Sequence, residues 1–272
     1  MANGLLVGVL SLATAAISLV SCSAPSPLDW DAAVTTNGGE LPGRLVIERG
    51  AATFASDTAA LVAPMMPGAC LESARLAKVG TNGMERYVVW WAPRSDSSTA
   101  LVLARSVDGG MSWSAPEPVD TADHSLTGCK RPAPAIVADS ANGYVHVAYA
   151  MRDAQGAGVF FSHSMARGQM FHSPVTIVYG ERLVDVAIAA RGDTVAVVYV
   201  DPSADHPPLG LALSHTMGHI FEQRLSVPAT TDTGEPAIAI APGTLAVAWV
   251  RRVNGGAGAV ITRVGRFAGV AW

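Results

Sequence analysis

The sequence has little charge and little cysteine, and it lacks several patterns that identify common enzyme classes. Only 15% of its 272 residues are charged, the net charge is −4, and no Lys/Arg-rich run occurs, so we expect no nucleic-acid partner. Neither a phosphate-binding loop nor a Gly-Ser nucleophile elbow is present. His163 and His215 have no cluster of candidate ligands in the sequence around them, so we predict no metal and no other cofactor.

Helical periodicity is also missing beyond the first 20 residues, which favours an all-β fold. Half of the residues are hydrophobic, which supplies enough apolar material for a large core. The 27 Gly and 17 Pro residues fit many short strands that are joined by frequent turns. Repeated-strand folds often use a chain of this length as one unit.

The N-terminal residues have the features of an export signal. Leu5 to Val20 is almost entirely apolar, although no Lys or Arg occurs in residues 1–20. The segment that follows, Leu19-Val20-Ser21-Cys22, resembles the lipobox of bacterial lipoproteins. The resemblance implies a signal peptide over residues 1–22, lipidation of Cys22 and a tether over residues 23–42. The protein would then be exported and lipid-anchored in the bacterial cell envelope, on the periplasmic or cell-surface side, with the membrane as a partner. The alternative is a hydrophobic N-terminus that is not cleaved.

A repeat organises the rest of the chain. An aromatic residue ends a β-branched strand at Trp91, Tyr149, Tyr199 and Trp249, at intervals of 58, 50 and 50 residues. Each unit has an Ala/Ile/Val-rich strand, a Gly-containing turn, this second strand, a polar loop and a third strand. A period of this size with four short strands is typical of a propeller blade. The strand-end position predicts that Tyr149 and Tyr199 are core residues.

One turn motif is specific. Ser106, Asp108, Gly110 and Trp113 stand in a segment that closely resembles the Ser-x-Asp-x-Gly-x-Thr-Trp Asp box of sialidases and related propellers, the BNR repeat. Degenerate copies, which lack the Asp, follow at Ser164 to Phe171 and at Thr216 to Phe221. The resemblance implies a sialidase-like β-propeller of four to five four-stranded blades over residues 43–272. It also implies a structural box on the face opposite the active site.

Charge concentrates in the loops that would share the mouth of this propeller. We take as candidate binding residues those in the links into the inner strands and in the loops between second and third strands: Arg94, Arg131, Arg152, Glu181, Arg182, Glu235 and Arg251. The alternative is that charge simply collects in loops. Cys70 and Cys129 precede adjacent inner strands, and export would place them in an oxidising compartment, so we predict a disulfide, with two free buried thiols as the alternative.

The resemblance to sialidases extends to the order of residues before the box. Arg75-Leu76-Ala77 and Arg94-Ser95-Asp96 imply that Arg75 binds a sialate carboxylate and that Asp96 is the general acid/base. Ala77 replaces the Pro of the family motif, and no late Tyr-Glu pair supplies the nucleophile that sialidases need. Our first hypothesis is therefore an anchored propeller that binds a glycan or a protein without catalysis. The alternatives are an exo-sialidase-type glycoside hydrolase and a structural subunit of a cell-envelope assembly.

Overall fold

The structure is a computed structural model that describes residues 26–37, 46–48, 51–53, 69–79, 83–125, 127–139, 142–204, 208–228, 230, 233–251 and 258–268. Within these residues the chain is all-β apart from one turn of 3-10 helix at Leu71–Ser73, and no helix among them is long and apolar enough to cross a membrane. The predicted signal peptide and Cys22 lie outside the described residues. In chain order the strands are β1 Leu28–Trp30, β2 Val34–Asn37, β3 Val46–Glu48, β4 Ala51–Thr53, β5 Arg75–Val79, β6 Glu85–Pro93, β7 Thr99–Ser106, β8 Glu117–Asp120, β9 Ala135–Ala138, β10 Val145–Arg152, β11 Ala157–Ser164, β12 Val175–Gly180, β13 Val186–Arg191, β14 Thr194–Val200, β15 Leu209–Ser214, β16 Gln223–Ser226, β17 Thr233–Ala241, β18 Thr244–Arg251 and β19 Ala259–Phe267.

The strands form propeller blades, as the repeat predicts. Blade 1 is β5–β8, blade 2 is β9–β12 and blade 3 is β13–β16, each an antiparallel sheet whose strands pair in chain order. Blade 4 contains β17, β18 and β19. The inner strands β5, β9, β13 and β17 lie side by side in this order. The four blades fall within the predicted range of four to five, and β3 and β4 form a separate two-stranded hairpin.

The outer strand of blade 4 comes from the other end of the chain. Leu28 pairs with Phe267 through β1, and Val34 pairs with Thr262 through β2, so both N-terminal strands lie along β19. Two strands of this sheet, Leu28–Trp30 and Val34–Asn37, thus lie within residues 23–42, where the sequence predicts a tether. The reason is physical: the outer edge of β19 presents a row of backbone groups that a further strand satisfies.

Apolar side chains fill the space between neighbouring blades. Trp91 and Tyr149 are fully buried and meet edge to face between blades 1 and 2, with ring centroids 6.0 Å apart. Tyr199 and Trp249 belong to a second cluster that joins blades 2, 3 and 4. The prediction that Tyr149 and Tyr199 are core residues is therefore confirmed. Ala, Ile and Val predominate in the inner strands β9 and β13, which contact each other.

The strong Asp box closes its turn with local hydrogen bonds. The hydroxyl of Ser106 accepts the Gly110 amide at 2.8 Å, and Asp108 accepts the Ser112 amide at 2.9 Å. The indole of Trp113 donates to the Gly110 carbonyl at 3.1 Å. The hydrogen bonds from Ser112 and Ser106 hold the pKa of Asp108 well below its usual range. The strands do not pair through this turn, so side-chain oxygens accept the hydrogen bonds of its backbone amides.

Two further turns keep this geometry. The hydroxyls of Ser164 and Ser214 accept the amides of Gly168 and Gly218, each at 3.0 Å. The third copy therefore begins at Ser214, two residues before the predicted start. Thr216 takes the place of the Asp, because its hydroxyl accepts the Ile220 amide at 3.0 Å.

The box turns lie beside the inner hairpin turns of the same blades. The amide of Gly109 donates to Met84 at 2.8 Å in blade 1, and Met217 donates to Asp193 at 2.8 Å in blade 3. We call this end of the propeller, formed by turns 106–113, 164–171 and 214–221 with the inner hairpin turns, the box face. The loops at the opposite end form the mouth.

Candidate functional site

The mouth contains a shallow cavity of about 220 Å³ near the inner strands of blades 2, 3 and 4. Arg182, Leu183, Val184 and Asp185, in the link into β13, form most of its wall. The other lining residues are Pro132, Val200 and Thr233. Apolar walls with a few polar groups are typical of ligand sites. Of the seven predicted binding residues, Arg182 lines this cavity.

Arg131 lies beneath the mouth, in the seam between blades 1 and 2. Its guanidinium is 2.9 Å from Asp123, and the two side chains are 0% and 1% exposed. The guanidinium carbon also lies 4.3 Å from the ring centre of Trp91. Burial lowers the pKa of Arg131, and Asp123 opposes this shift. Arg131 is predicted to bind a ligand at the mouth, but its side chain is enclosed by protein and pairs with Asp123 instead.

Asp123 connects this ion pair to the loops of blade 1. It accepts the amide and the hydroxyl of Thr99, at 3.2 and 2.9 Å, and the amide of Ser125 at 3.2 Å. A buried carboxylate can stay charged when several hydrogen-bond donors and a guanidinium offset the free energy of its lost hydration. The cluster fixes the backbone from which the mouth loops of blade 1 emerge.

A disulfide joins Cys70 to Cys129 in the same seam, with their Cα atoms 5.1 Å apart. It links the segment before β5 to the segment before β9, at the place where the sequence predicts a bridge. The Cys70 amide donates to the Trp91 carbonyl at 2.9 Å, and the Trp91 indole donates to Pro132 at 3.2 Å. A bridge across a loop of this size stabilises the fold by about 2–4 kcal/mol.

The predicted catalytic pair is held by its own loops. Arg75 is buried, and its guanidinium donates to the carbonyls of Glu72 and Ala74 at 3.1 and 2.7 Å. Asp96 is exposed and accepts the hydroxyl and the amide of Ser98 at 2.6 and 3.0 Å. These hydrogen bonds lower the pKa of Asp96. They favour the carboxylate, whereas a general acid at neutral pH needs a raised pKa.

The other predicted residues stand around the rim and hold neighbouring loops. Arg152 donates to the Glu181 carbonyl at 3.2 Å, and Arg182 donates to the Ala204 carbonyl. Glu235 has a positive φ of 49° within the bulged segment of β17. Arg251 is exposed at the mouth end of β18, and the Arg94 amide donates to Ser98 at 2.8 Å.

A polar and aromatic group on the rim of blade 2 escaped the sequence-based selection of site residues. The Tyr179 hydroxyl donates to Asp153 at 2.8 Å and lies 2.8 Å from the side-chain oxygen of Gln155. The ring of Tyr179 is 39% exposed and packs edge to face on Phe160, with centroids 5.8 Å apart. The polar second–third loop and the Tyr beside Glu181 were visible in the sequence, but their contact required the pairing of β11 with β12. We call Asp153, Gln155 and Tyr179 the rim cluster.

All five tyrosines, each a candidate nucleophile, lie in the part of the chain that the structure describes. Tyr149 is buried and donates to Asp120, and burial raises its pKa well above 10. Tyr87 donates to Glu85 at 2.6 Å, but this pair lies beside the box face, and burial with the Glu85 contact raises the Tyr87 pKa. Tyr199 is buried and Tyr144 lies in a histidine stack near the box face. Tyr179 is therefore the tyrosine that is exposed at the mouth.

The His163 ring packs against other histidine rings. Its ring centre lies 4.7 Å from that of His172 and 4.6 Å from that of His219, and His146 lies fully buried behind it. In the part of the chain that the structure describes, no group of three or more His, Cys, Asp or Glu side chains has a geometry that would hold a metal ion. The ring stack therefore gives His163 a structural role.

Comparison with known proteins gives fold-level similarity alone. No protein-family model matches the chain, and no curated protein matches it. A protein of unknown function from Dyadobacter fermentans has 18% identity and a TM-score of 0.49, over 69% of this chain and 51% of that one. Trypanosoma rangeli sialidase in complex with the inhibitor DANA has 11% identity and a TM-score of 0.47, over 82% and 40%. A thermostable family-43 glycoside hydrolase has 11% identity and a TM-score of 0.40, over 67% and 68%.

This chain thus spans about half the length of the Dyadobacter protein and two fifths of that of the sialidase. At these identities and TM-scores the matches carry no argument about chemistry. The assignment of a propeller rests on the chain's own four sheets and on its three box turns.

Proposed function

We propose that this protein is exported, is anchored in a bacterial cell envelope by a lipid on Cys22, and binds a glycan or a protein at its mouth without catalysis. The observation that carries the binding role is the rim cluster. It combines an exposed aromatic ring with a carboxylate and an amide at the mouth end of the propeller, which also contains a shallow cavity with polar and apolar walls. Tyr is enriched at binding surfaces because it offers a rigid apolar face and a polar end.

Several features favour binding over hydrolysis. The guanidinium of Arg75 contacts the carbonyls of its own link, and Asp96 is held as a carboxylate by Ser98. A hydrolase would need these groups to act on a substrate. The rim cluster needs only a solvent-exposed surface, which it has.

The experiment is a glycan array probed with the full-length protein in mild detergent, followed by calorimetry with the strongest glycan. We expect Tyr179→Ala to weaken binding by at least tenfold and Tyr179→Phe by a few-fold, because the second change keeps the ring. Met111→Ser, on the box face, is the matched control and leaves the affinity unchanged. If Met111→Ser lost affinity and Tyr179→Ala did not, the ligand would bind at the box face, which would contradict the proposal.

The second candidate is a sialidase-type hydrolase, which the Tyr179–Asp153 hydrogen bond favours, because a carboxylate that accepts a tyrosine proton activates the tyrosine as a nucleophile. Release of 4-methylumbelliferone from its sialoside tests it. Turnover that both Tyr179→Phe and Asp96→Asn abolish would replace the binding proposal. Absence of turnover and of any glycan hit would leave protein binding, which a pull-down with the same Tyr179 variants addresses.

A further inference from the structure

Exposed apolar side chains concentrate on the box face. Of the eight large hydrophobic residues that are exposed in the described part of the chain, six lie in the box turns or in an inner hairpin turn. They are Met84, Val107, Met111, Met165, Met170 and Ile220. Met111 and Met170 are 82% and 68% exposed. Apolar residues that gather at one end of a molecule indicate a contact surface, whereas single exposed ones are ordinary.

These residues are not needed by the turns that carry them. The box turns are closed by Ser106, Asp108 and their counterparts, and the turn aromatic at Trp113 packs back on its blade. Val107 and Met111 flank this frame and point away from it into solvent. Polar residues would serve the turn equally well, so the apolar character has another cause.

The chain enters the fold at the same face. Leu28 pairs with Phe267, and the Ala268 amide donates to the Pro27 carbonyl at 2.9 Å. Phe267 is at the box-face end of β19, because its amide donates to Gly243 in the inner hairpin turn at 3.0 Å. In blade 1 the Gly109 amide makes the equivalent hydrogen bond to the Met84 carbonyl of the inner hairpin turn. Ser26 is therefore at the box face.

The proposed lipid attachment lies close to this point. Cys22 precedes Ser26 by four residues, which span at most about 14 Å when fully extended. A lipid on Cys22 would hold the box face within this distance of the bilayer surface. The mouth, at the other end of the propeller, would point away from the membrane.

Several charges on this face are paired within the protein. Glu85 is 2.9 Å from Arg105 and 3.1 Å from Arg167, and Arg266 pairs with Asp31. A polybasic surface, which would attract anionic lipids, is therefore not formed by these residues. The apolar side chains are the groups that favour a bilayer interface.

We propose that the box face is a membrane-contact surface, on which the exposed Met, Val and Ile side chains rest in the interface of the bilayer to which Cys22 is anchored. The inference rests on the proposed lipid anchor and adds an orientation to it. The mouth with its rim cluster faces the aqueous compartment, where its ligand is found.

The test is lipid photocrosslinking of the full-length protein in vesicles of palmitoyl-oleoyl phosphatidylcholine that contain a lipid with a headgroup diazirine. Mass spectrometry maps the lipid adducts. We expect adducts in the peptides that hold Met111, Met170 and Ile220, at least fivefold more often than in the mouth peptides that hold Asp96 and Gln155. Raising the salt concentration should change this pattern less than twofold, because the contact is apolar.

A triple variant, Met111→Ser with Met170→Ser and Ile220→Ser, sharpens the test. It should lose at least two thirds of the box-face adducts and keep those near Cys22, whereas the matched mouth variant Tyr179→Ser keeps both. Adducts near Cys22 without adducts on the box face, or an unchanged triple variant, would overturn the membrane-contact surface and leave the anchor in place. Absence of adducts throughout the chain would overturn the anchor and the surface together.

Discussion

At the mouth, the seam between blades 1 and 2 is held by a disulfide and a buried ion pair, whereas at the box face blades 1, 2 and 3 each close a box turn with local hydrogen bonds. The two ends therefore differ in the range of their interactions. The segments before β5 and β9 lie outside the strands, and these cross-links hold them in place. The hydrogen bonds that close the box turns come from residues within the same short segment. Substitutions should reveal this difference.

The largest effect should come from the mouth seam. Arg131→Met keeps the packing on Trp91 but leaves Asp123 buried without its cation, so we expect a loss of about 3–5 kcal/mol in the free energy of unfolding, measured by urea denaturation. Arg152→Met, on the exposed rim, is the matched control and should change stability by less than about 0.5 kcal/mol. Adding Asp123→Asn to Arg131→Met should recover part of the loss. Equal stability of the two single variants would contradict the buried pair.

A smaller effect should distinguish the box turns from the inner hairpin turns on the same face. A Cβ at Gly218 would stand 2.3 Å from the Phe161 ring, whereas one at Gly192 meets nothing within 4 Å, although both residues have positive φ. Gly218→Ala should therefore cost about 1–3 kcal/mol more than Gly192→Ala in urea denaturation. Similar losses would mean that the turn does not pack on the preceding blade.

The smallest effect should be a pH dependence at the box face. Burial and the neighbouring histidines lower the pKa of His146 to about 3 and that of His163 to about 4. The unfolded chain, with histidine pKa values near 6.5, binds protons first, so stability is full above about pH 6.5 and falls as the pH decreases towards these folded-state values.

For His146 alone this fall is about 1.4 kcal/mol at pH 5.5. His146→Phe preserves the stacking on Phe161 and should reduce the loss between pH 7 and pH 5.5, as measured by urea midpoints. The matched control, His124→Phe, replaces a histidine in an exposed mouth loop outside the stack and should leave more of the loss in place than His146→Phe does. A steeper slope in His146→Phe would show that the ring is charged when folded.

The sequence by itself determined the repeat, the all-β class and the box turns. These features depend on residues that are close along the chain: strand alternation within a blade, and Ser106, Asp108 and Gly110 within one turn. Local hydrogen bonds and positive-φ glycines encode such a turn wherever it occurs. The third box departs from the motif, because the Thr216 hydroxyl accepts the hydrogen bond that the Asp108 carboxylate accepts in the first box.

Apart from the Cys70–Cys129 disulfide, which the sequence predicts, only the tertiary structure decided which distant residues meet. It joined Leu28 to Phe267, it enclosed Arg131 against Asp123, and it brought Tyr179 to Asp153. These contacts arise when strands pair and blades pack, and residue type alone does not specify partners that far apart. An arginine in a mouth loop has the same sequence signature whether it faces a ligand or a buried carboxylate, and burial is a property of the packed blades.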